Sequence, residues 1–356
     1  MSNYSAWNIE PLDHLPTDSS EALMHLVRWA VLAPSAHNAQ PWKFEVQSQE
    51  ELLVIEHDWS RPVSVTGTRQ AWISIGCALR NLIVAAEYYG YGYQAFTFIG
   101  KCAVGFKLIP DGDKKLHANR DELLAIKSRR MNRGKYDLTR AVSASIIEEA
   151  QTALKKHNEI VPDKLTLDFI SDPLTKSAIA EIQYLADRYV VAKNEFRKEL
   201  SRYMLPNDSQ QPRGMPGSTF GLSDEMALHL CDELKKDGPF DVNLAVGFAA
   251  ATRDGIKSAP LIGVISVDRV FWASILMAGA FFQKLALIAE KNRLGISVHA
   301  ALVEAEVFNK LLRLRLGRSE RPTVIFRMGY PLENRPHSPR LPAEFVTLTK
   351  NLQFEC

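Results

Sequence analysis

The chain has 356 residues, 46% hydrophobic and 24% charged, a composition typical of a folded globular protein and not of a disordered one. Its formal net charge of +2 gives no argument for binding nucleic acid. The four cysteines are far apart and lack CxxC spacing, which argues against a disulfide framework and against a cysteine-based zinc site.

The N-terminal segment lacks the pattern of a secretion signal, in which a charged stretch precedes an apolar one. We therefore predict a cytoplasmic protein with reduced thiols.

The first predicted elements are a helix and a β-hairpin joined by an unusually polar junction. Residues 19–32, SSEALMHLVRWAVL, have helical periodicity behind Ser and Asp caps, and WKFEVQ and ELLVIEHD alternate as hairpin strands do. The junction between them, residues 33–41, reads APSAHNAQP. Because Asn38 and Gln40 can both donate and accept hydrogen bonds, and Ser35 can cap or donate, the junction predicts contact with a flat heterocycle.

A long buried helix and a strand follow the hairpin. The helix, RQAWISIGCALRNLIVAAEYYGYG, begins at Arg69, carries small residues in its interior and ends at a glycine. The strand is KCAVGFKLIP, residues 101–110.

A basic cluster, Arg129, Arg130 and Arg133, lies in the next segment, IKSRRMNRGKYD. Arginine presents a planar, permanently charged fork that suits phosphate or the carbonyl edge of a heterocycle. The alternative is a solvated basic linker.

The second half of the chain repeats the order of the first. A helix, VSASIIEEAQTALKKH, precedes the strand KLTLDFISD; a long helix beginning at Arg269 precedes the strand RPTVIFRMGYP. Both long helices place Trp three residues after Arg. We predict two repeats, 1–125 with an N-terminal arm and 126–356, packed with pseudo-two-fold symmetry as in a homodimer. The alternative is an unduplicated chain, since any α+β protein alternates such elements.

Two stretches of the second half differ from the first. An insertion, residues 197–239, is rich in Pro, Gly, Ser, Asp and Gln, and such an irregular stretch predicts either a lid over a site or a disordered surface excursion. The most apolar run, residues 271–282, is about twelve residues long, too short to span a bilayer. It predicts a buried core helix and no membrane contact.

The polar junction and the basic cluster occur once each, in opposite repeats. The second repeat connects its helix to its strand with the plain segment HNEIVPDK, and the first repeat has no arginine cluster at its start. If the repeats pack as a pseudo-dimer, one composite pocket contains both sets. The sequence therefore predicts a single anionic, heterocyclic ligand.

Weaker candidates follow the second long helix. The segment LGISVHAAL could turn its backbone toward a bound ring, and Arg335 and Arg340 after the last strand could bind phosphate. We interpret His37 and His299 as structural histidines. No HExxH, GxSxG, P-loop or GxGxxG pattern occurs, so we predict no metal site.

These residues resemble a known family. APSAHNAQPWKF is similar to the APSxxNxQPW signature of nitroreductase-like flavoproteins, SRRMNRGKY to their RRSxRxF segment, and RMGYP with SPRLP to their closing segment. The tandem arrangement resembles the duplicated, Acg-type branch. The resemblance implies an α+β nitroreductase-like fold duplicated in one chain, with antiparallel-rich mixed sheets and long central helices.

The resemblance also implies a binding site for FMN, one per chain. Pro34, Ser35 and Asn38 match positions that line the isoalloxazine ring, and the backbone of Val298, His299 and Ala300 matches the segment that supports its N5. The residues that match phosphate or pyrimidine contacts are Arg129, Arg130, Arg133 and Arg340. Gln40 and Trp42 match the motif but are predicted to fix the strand and the core. Met131 replaces the family's serine.

The implied function is an FMN-dependent NAD(P)H oxidoreductase that reduces nitroaromatics, quinones or related acceptors by ping-pong hydride transfer, with NADH or NADPH as transient donor. Because FMN does the chemistry, we predict no catalytic residue. The alternative is a flavin-sequestering protein whose insertion closes a redox-inactive site. A third hypothesis is a non-redox interaction protein. We expect a small-molecule partner and a monomeric pseudo-dimer, with further homodimerisation left open.

Overall fold

The computed structural model describes residues 2–47, 51–58, 65–98, 101–113 and 115–350. They confirm the predicted α+β class with antiparallel-rich mixed sheets and long helices. The helices are α1 (Ser19–Ala30), α2 (Val65–Tyr88), α3 (Arg120–Ser128), α4 (Ala144–Ile160), α5 (Pro173–Val191), α6 (Asn194–Ser201), α7 (Asp224–Lys235), α8 (Val242–Lys257), α9 (Trp272–Lys291), α10 (Ala301–Glu304) and α11 (Glu306–Leu316). The strands are β1 (Trp42–Gln47), β2 (Leu52–His57), β3 (Tyr91–Phe98), β4 (Ala103–Pro110), β5 (Leu165–Ile170), β6 (Met204–Leu205), β7 (Met215–Pro216), β8 (Leu261–Val267), β9 (Gly295–Val298), β10 (Arg321–Gly329) and β11 (Thr347–Lys350).

The chain divides into two compact units, each made of segments that are discontinuous in sequence. Unit 1 comprises Met1–Arg129, Ile275–Leu287 and Pro339–Cys356. Unit 2 comprises Arg130–Ser274 and Ile288–Ser338. The two units are defined by contacts within the folded chain, whereas the predicted repeats, 1–125 and 126–356, are defined by a proposed duplication of the sequence. The repeats therefore stay a prediction.

Unit 1 contains a five-stranded mixed sheet in the order β11–β1–β2–β4–β3. Strands β1 and β2 pair antiparallel with Phe44 opposite Ile55, which confirms the predicted hairpin. Helix α1 begins after Asp18, whose carboxylate accepts a hydrogen bond from the Glu21 amide at 2.9 Å, as the predicted cap requires. Strand β11 pairs parallel with β1.

Two long helices of unit 1 approach each other closely at glycines. A Cβ atom on Gly76 of α2 would lie 1.9 Å from the carbonyl oxygen of Leu276, and one on Gly279 would lie 2.1 Å from that of Ile73. The Cys77 thiol donates to the Gly279 carbonyl at 3.3 Å. The predicted small residues inside these helices therefore allow backbone-to-backbone contact.

The starts of the two long helices differ. Arg69 lies inside α2, whereas Arg269 precedes α9, so the shared Arg–x–x–Trp pattern marks different helical positions.

Among the described residues, α9 is the one helix long and apolar enough to span a membrane, and 78% of its most apolar window is buried. The prediction that this segment is too short to span a bilayer was wrong, because the helix continues through Gln283 and Lys284 to Lys291. The predicted buried core helix is confirmed.

An ion triad around the buried Glu122 connects three helical segments of unit 1. The Glu122 carboxylate on α3 accepts from Arg80 of α2 at 2.8 Å and from Lys284 of α9 at 2.9 Å. Burial raises the pKa of Glu122, but the charges and hydrogen bonds of Arg80 and Lys284 outweigh this and lower the pKa to about 2.

We expect Glu122→Gln to lower the free energy of unfolding at pH 7 by about 2 to 3 kcal/mol, because two cations lose their shared buried anion. The folded-state pKa is below the ordinary value of 4.5, so the contribution of Glu122 is present above pH 4.5 and is lost as the pH falls toward 2. Urea unfolding at several pH values measures this. A constant difference between wild type and variant from pH 7 to pH 3 would contradict the assignment.

Unit 2 is built on a four-stranded antiparallel sheet in the order β5–β8–β10–β9. Its core includes Ile179, Ile256, Val264, Leu312 and Ile325, all fully buried. Helices α5 and α8, which the sequence patterns did not indicate, precede and follow the predicted insertion.

The insertion is structured, which corrects the prediction of a long irregular stretch. It contains α7, the paired strands β6 and β7 and most of α6. Its apolar side chains form a cluster of their own: Leu200, Met204, Met215, Cys231 and Leu234. The many Pro, Gly, Ser and Asp residues are caps and ends of short elements; Ser223, for example, accepts from the Met226 amide at the start of α7.

Arg197 connects the two ends of the insertion by hydrogen bonds. Its buried guanidinium donates to the carbonyls of Val191 and Ala192 at the end of α5 and to that of Gly238 beyond α7. The two ends of the insertion are thereby held together.

Asp187 of α5 is a buried carboxyl at the contact between α5 and α8. It accepts from Gln183 at 2.9 Å and from Thr252 of α8. Burial raises the pKa of Asp187 to about 6, although both hydrogen bonds lower it.

We expect Asp187→Asn to raise the free energy of unfolding by about 2 kcal/mol at pH 7.5 and to have little effect at pH 4. The folded protein holds the Asp187 proton more tightly than the unfolded chain does, so wild-type stability falls as the pH rises from about 4 to 6. Asparagine keeps an oxygen that can accept both bonds. Chemical denaturation at both pH values tests this, with exposed Asp254→Asn as control, and an equal gain at both would count against it.

Candidate functional site

The polar junction holds three non-glycine residues in left-handed backbone conformations. His37, Asn38 and Gln40 have φ values of 51°, 53° and 51°. Such values are uncommon for these residues, and outliers persist where surrounding contacts fix them. The Gln40 amide donates to the Ser35 hydroxyl at 3.0 Å, and the Ala36 amide donates to the Ser74 hydroxyl of α2 at 3.2 Å. The junction is therefore a rigid loop.

The two amide side chains of the junction bind the C-terminal segment of unit 1. Asn38 Nδ2 donates to the Pro339 carbonyl at 2.8 Å, and Gln40 Oε1 accepts from the Leu341 amide at 2.9 Å. Gln40 and Trp42 are fully buried, as predicted for residues that fix the strand and core. The proposed contact of Asn38 with a ligand stays a prediction beside this observed role.

Arg129 and Arg340 lie against the same loop. Arg129 Nη2 donates to the Leu32 carbonyl at 3.0 Å, and Arg340 donates to the Ala33 carbonyl at 3.1 Å and to Asn38 Oδ1. Both guanidinium groups are buried. Burial, and secondarily the charge of Arg129, lowers the pKa of Arg340 to about 9. The structure thus brings two like charges to the carbonyls of the two residues that precede Pro34.

In unit 2, Arg133 lies between the insertion and strand β10. Its Cζ is 4.4 Å from the centroid of the Phe220 ring, and its Nη2 is 3.8 Å from Met215 Sδ. Arg327 of β10 donates to the Arg133 carbonyl at 2.8 Å. In the part of the chain that the structure describes, neither arginine forms an ion pair with a carboxylate.

His299 forms a group of basic side chains with the buried Arg327 and the half-buried Arg133. Burial, with smaller contributions from the charges of Arg327 and Arg133, lowers the pKa of His299 well below its ordinary value, so the imidazole is neutral at pH 7. Burial and the charge of Arg327 lower the pKa of Arg133 to about 10. The buried Nε2 of His299 has no hydrogen-bond partner among the described residues. An anion or an acceptor-rich ligand would compensate such a group.

The remaining predicted residues lie near these groups in sequence. Arg130 is half-buried, and its buried Nε has no hydrogen-bond partner within the described chain. Val298 ends strand β9 and is 38% exposed, whereas Ala300 is half-buried.

The boundary between the two units falls directly after Arg129, inside the predicted basic cluster. Arg129 and Arg340 lie in unit 1 with Pro34, Ser35 and Asn38, whereas Arg130 and Arg133 lie in unit 2 with His299. Sequence reasoning missed Arg327. The available signal was a single charge within the apolar strand segment VIFRMG, where a buried arginine is costly.

No family model matches the chain. Over 355 residues it is 26% identical to two curated proteins of Mycobacterium tuberculosis, from strains CDC 1551 / Oshkosh and H37Rv, each named "Putative NAD(P)H nitroreductase". The match covers 92% of this chain and 90% of each relative. The chain resembles these two proteins along almost its whole length. The family resemblance predicted from the sequence motifs is confirmed.

Two solved structures are similar at a lower level. The FMN-dependent nitroreductase NfnB from Mycobacterium smegmatis, in complex with NADPH, is 15% identical with a TM-score of 0.42, over 65% of this chain and 99% of that one. The NADPH:FMN oxidoreductase from Vibrio harveyi, complexed with NAD+, is 14% identical with a TM-score of 0.38, over 66% and 79%.

Proposed function

We propose that the protein is an FMN-dependent NAD(P)H oxidoreductase that reduces nitroaromatics, quinones or related electron-poor small molecules. The observation that carries the proposal is the group of Arg133, Arg327 and His299, two arginines without an ion pair among the described residues beside a neutral imidazole. Similarity over 92% of the chain to proteins named as NAD(P)H nitroreductases supports the same activity.

These residues fit FMN because that molecule joins a phosphate to a ring with an acceptor-rich pyrimidine edge. Arginine is the side chain best suited to both. The residues proposed to hold the phosphate and the pyrimidine edge are Arg129, Arg130, Arg133 and Arg340. Those proposed to line the ring are Pro34, Ser35 and Asn38, with the backbone of Val298, His299 and Ala300 beside it.

Bound FMN would supply hydride transfer from a nicotinamide to an acceptor in two half-reactions. The chain's own contribution is binding and electrostatics. Arg133, near Arg327, provides fixed positive charge that favours the negative charge gained by a ring on reduction. The lowered pKa of His299 leaves a neutral imidazole without the acidic imidazolium proton at neutral pH, so we assign it no role as a general acid.

Titration with FMN, followed by acceptor-dependent oxidation of NADH and NADPH, tests the proposal. We expect one FMN per chain and turnover with a nitroaromatic or a quinone. Two FMN per chain would contradict the single site, and no binding at micromolar FMN would exclude the proposed function.

The alternative is a flavin-sequestering protein. This alternative is favoured by the contacts of Phe220 and Met215 with Arg133, because they place the insertion directly against a proposed flavin-binding side chain. Sequestration is the result if bound FMN stays oxidised with either nicotinamide while dithionite reduces it.

A further inference from the structure

Arg327 lies in the interior of the unit 2 sheet. It is on β10, between β8 and β9, opposite Ile262 on one side and Ser297 on the other. It is 2% exposed. A fully charged guanidinium is rarely buried without a carboxylate partner, because desolvation is costly. Its presence in this strand therefore needs a reason.

The contacts of Arg327 connect three segments of unit 2. Its guanidinium donates to the Gly255 carbonyl at the end of α8 at 3.0 Å and to the Arg133 carbonyl at 2.8 Å. Its Cζ lies 4.6 Å from the centroid of the Tyr136 ring. A Cβ on Gly255 would lie 3.1 Å from the same Cζ, so α8 closely confines the guanidinium. Arg327 thus fixes the backbone that carries Arg133.

The same guanidinium acts electrostatically on its neighbours. Its charge contributes to the lowered pKa values of both Arg133 and His299. Its buried Nε has no hydrogen-bond partner among the described residues. No carboxylate in the described chain forms an ion pair with Arg327, so its field on a ligand at Arg133 is not cancelled by such a pair.

Resting on the proposed function, we infer that Arg327 is a positioning residue for Arg133 whose charge makes the site prefer reduced over oxidised FMN. It orients Arg133 through the Arg133 carbonyl and adds a buried positive charge near it. A purely structural residue would affect the binding of both redox forms equally.

The test compares wild type, Arg327→Gln, Arg327→Lys and the exposed control Arg315→Gln. Fluorescence titration gives the Kd for oxidised FMN, and anaerobic dye equilibration of bound and free FMN gives the ratio of the two Kd values. We expect Arg327→Gln to reduce the preference for reduced FMN about tenfold, the effect of roughly 1.4 kcal/mol. Arg327→Lys should keep the preference within about twofold, because it keeps the charge, while binding both forms more weakly without the fork.

A double-variant cycle with Arg133→Gln tests the positioning role. In that background, Arg327→Gln should change oxidised FMN binding much less than in wild type, because the residue it orients is already lost. Equal weakening of both redox forms by Arg327→Gln, or no change in either, would overturn the inference. If Arg327→Gln does not fold, a changed preference for reduced over oxidised FMN in Arg327→Lys would also overturn the inference. Absence of FMN binding to wild type would instead refute the proposed function itself.

Discussion

Arg133→Gln is expected to weaken FMN binding by about 100-fold or more, roughly 3 kcal/mol. The variant removes a charged fork proposed to contact the ring, and glutamine offers only neutral, shorter donors. Arg133 forms no ion pair among the described residues, so its removal leaves no carboxylate there unpaired. The free energy of unfolding should change little or rise, because burial and the charge of Arg327 both disfavour the charged form of Arg133.

Arg315→Gln serves as the matched control for this prediction. Arg315 is an exposed arginine of the same unit that donates to the Thr175 hydroxyl. Fluorescence quenching measures the Kd of both variants, and thermal unfolding without FMN measures their stability. If Arg133→Gln binds FMN as tightly as Arg315→Gln does, Arg133 is not part of the flavin site.

Gly279→Ala should destabilise the protein by about 4 kcal/mol, toward the upper end of the effects of overpacking. The added Cβ would lie 2.1 Å from the Ile73 carbonyl oxygen and 2.6 Å from its Cα. These are backbone atoms of α2, so no side chain can rotate away and the two helices must separate. Gly76→Ala should behave in the same way, since its Cβ meets the Leu276 carbonyl at 1.9 Å.

Gly247→Ala is the control for the glycine substitutions. Gly247 also lies inside a helix, α8, but a Cβ there meets no atom within 4 Å. Alanine should therefore stabilise the protein by about 0.5–1 kcal/mol through its helix propensity. Denaturant unfolding of both variants separates steric contact from propensity, and similar free energies for Gly279→Ala and Gly247→Ala would refute the close helix crossing.

The sequence was sufficient where a local pattern determines the structure. The Asp18 cap, the strand β1 and its pairing with β2, and the helix α4 each follow from neighbouring residues, and the structure contains all of them. The insertion was harder, because residues that cap short helices are also the residues of irregular loops. Its elements are stabilised by the contacts of Leu200, Met215 and Leu234, which are distant in sequence.

The chemistry of the candidate site was only partly predictable for the same reason. The motif singled out Asn38, but not that its amide binds the Pro339 carbonyl, about three hundred residues away. The division into compact units falls between Arg129 and Arg130, which no local pattern indicated. Arg327 has no motif, and only tertiary structure shows that it contacts the backbone of Arg133.

Anaerobic reduction of the FMN-loaded protein is the most direct test of the proposed oxidoreductase activity. NADPH or NADH is added without oxygen while the flavin absorbance is followed, and a nitroaromatic is then added. We expect the flavin colour to bleach with a nicotinamide and to return with the acceptor. A flavin that remains coloured with both nicotinamides, yet bleaches with dithionite, would contradict it.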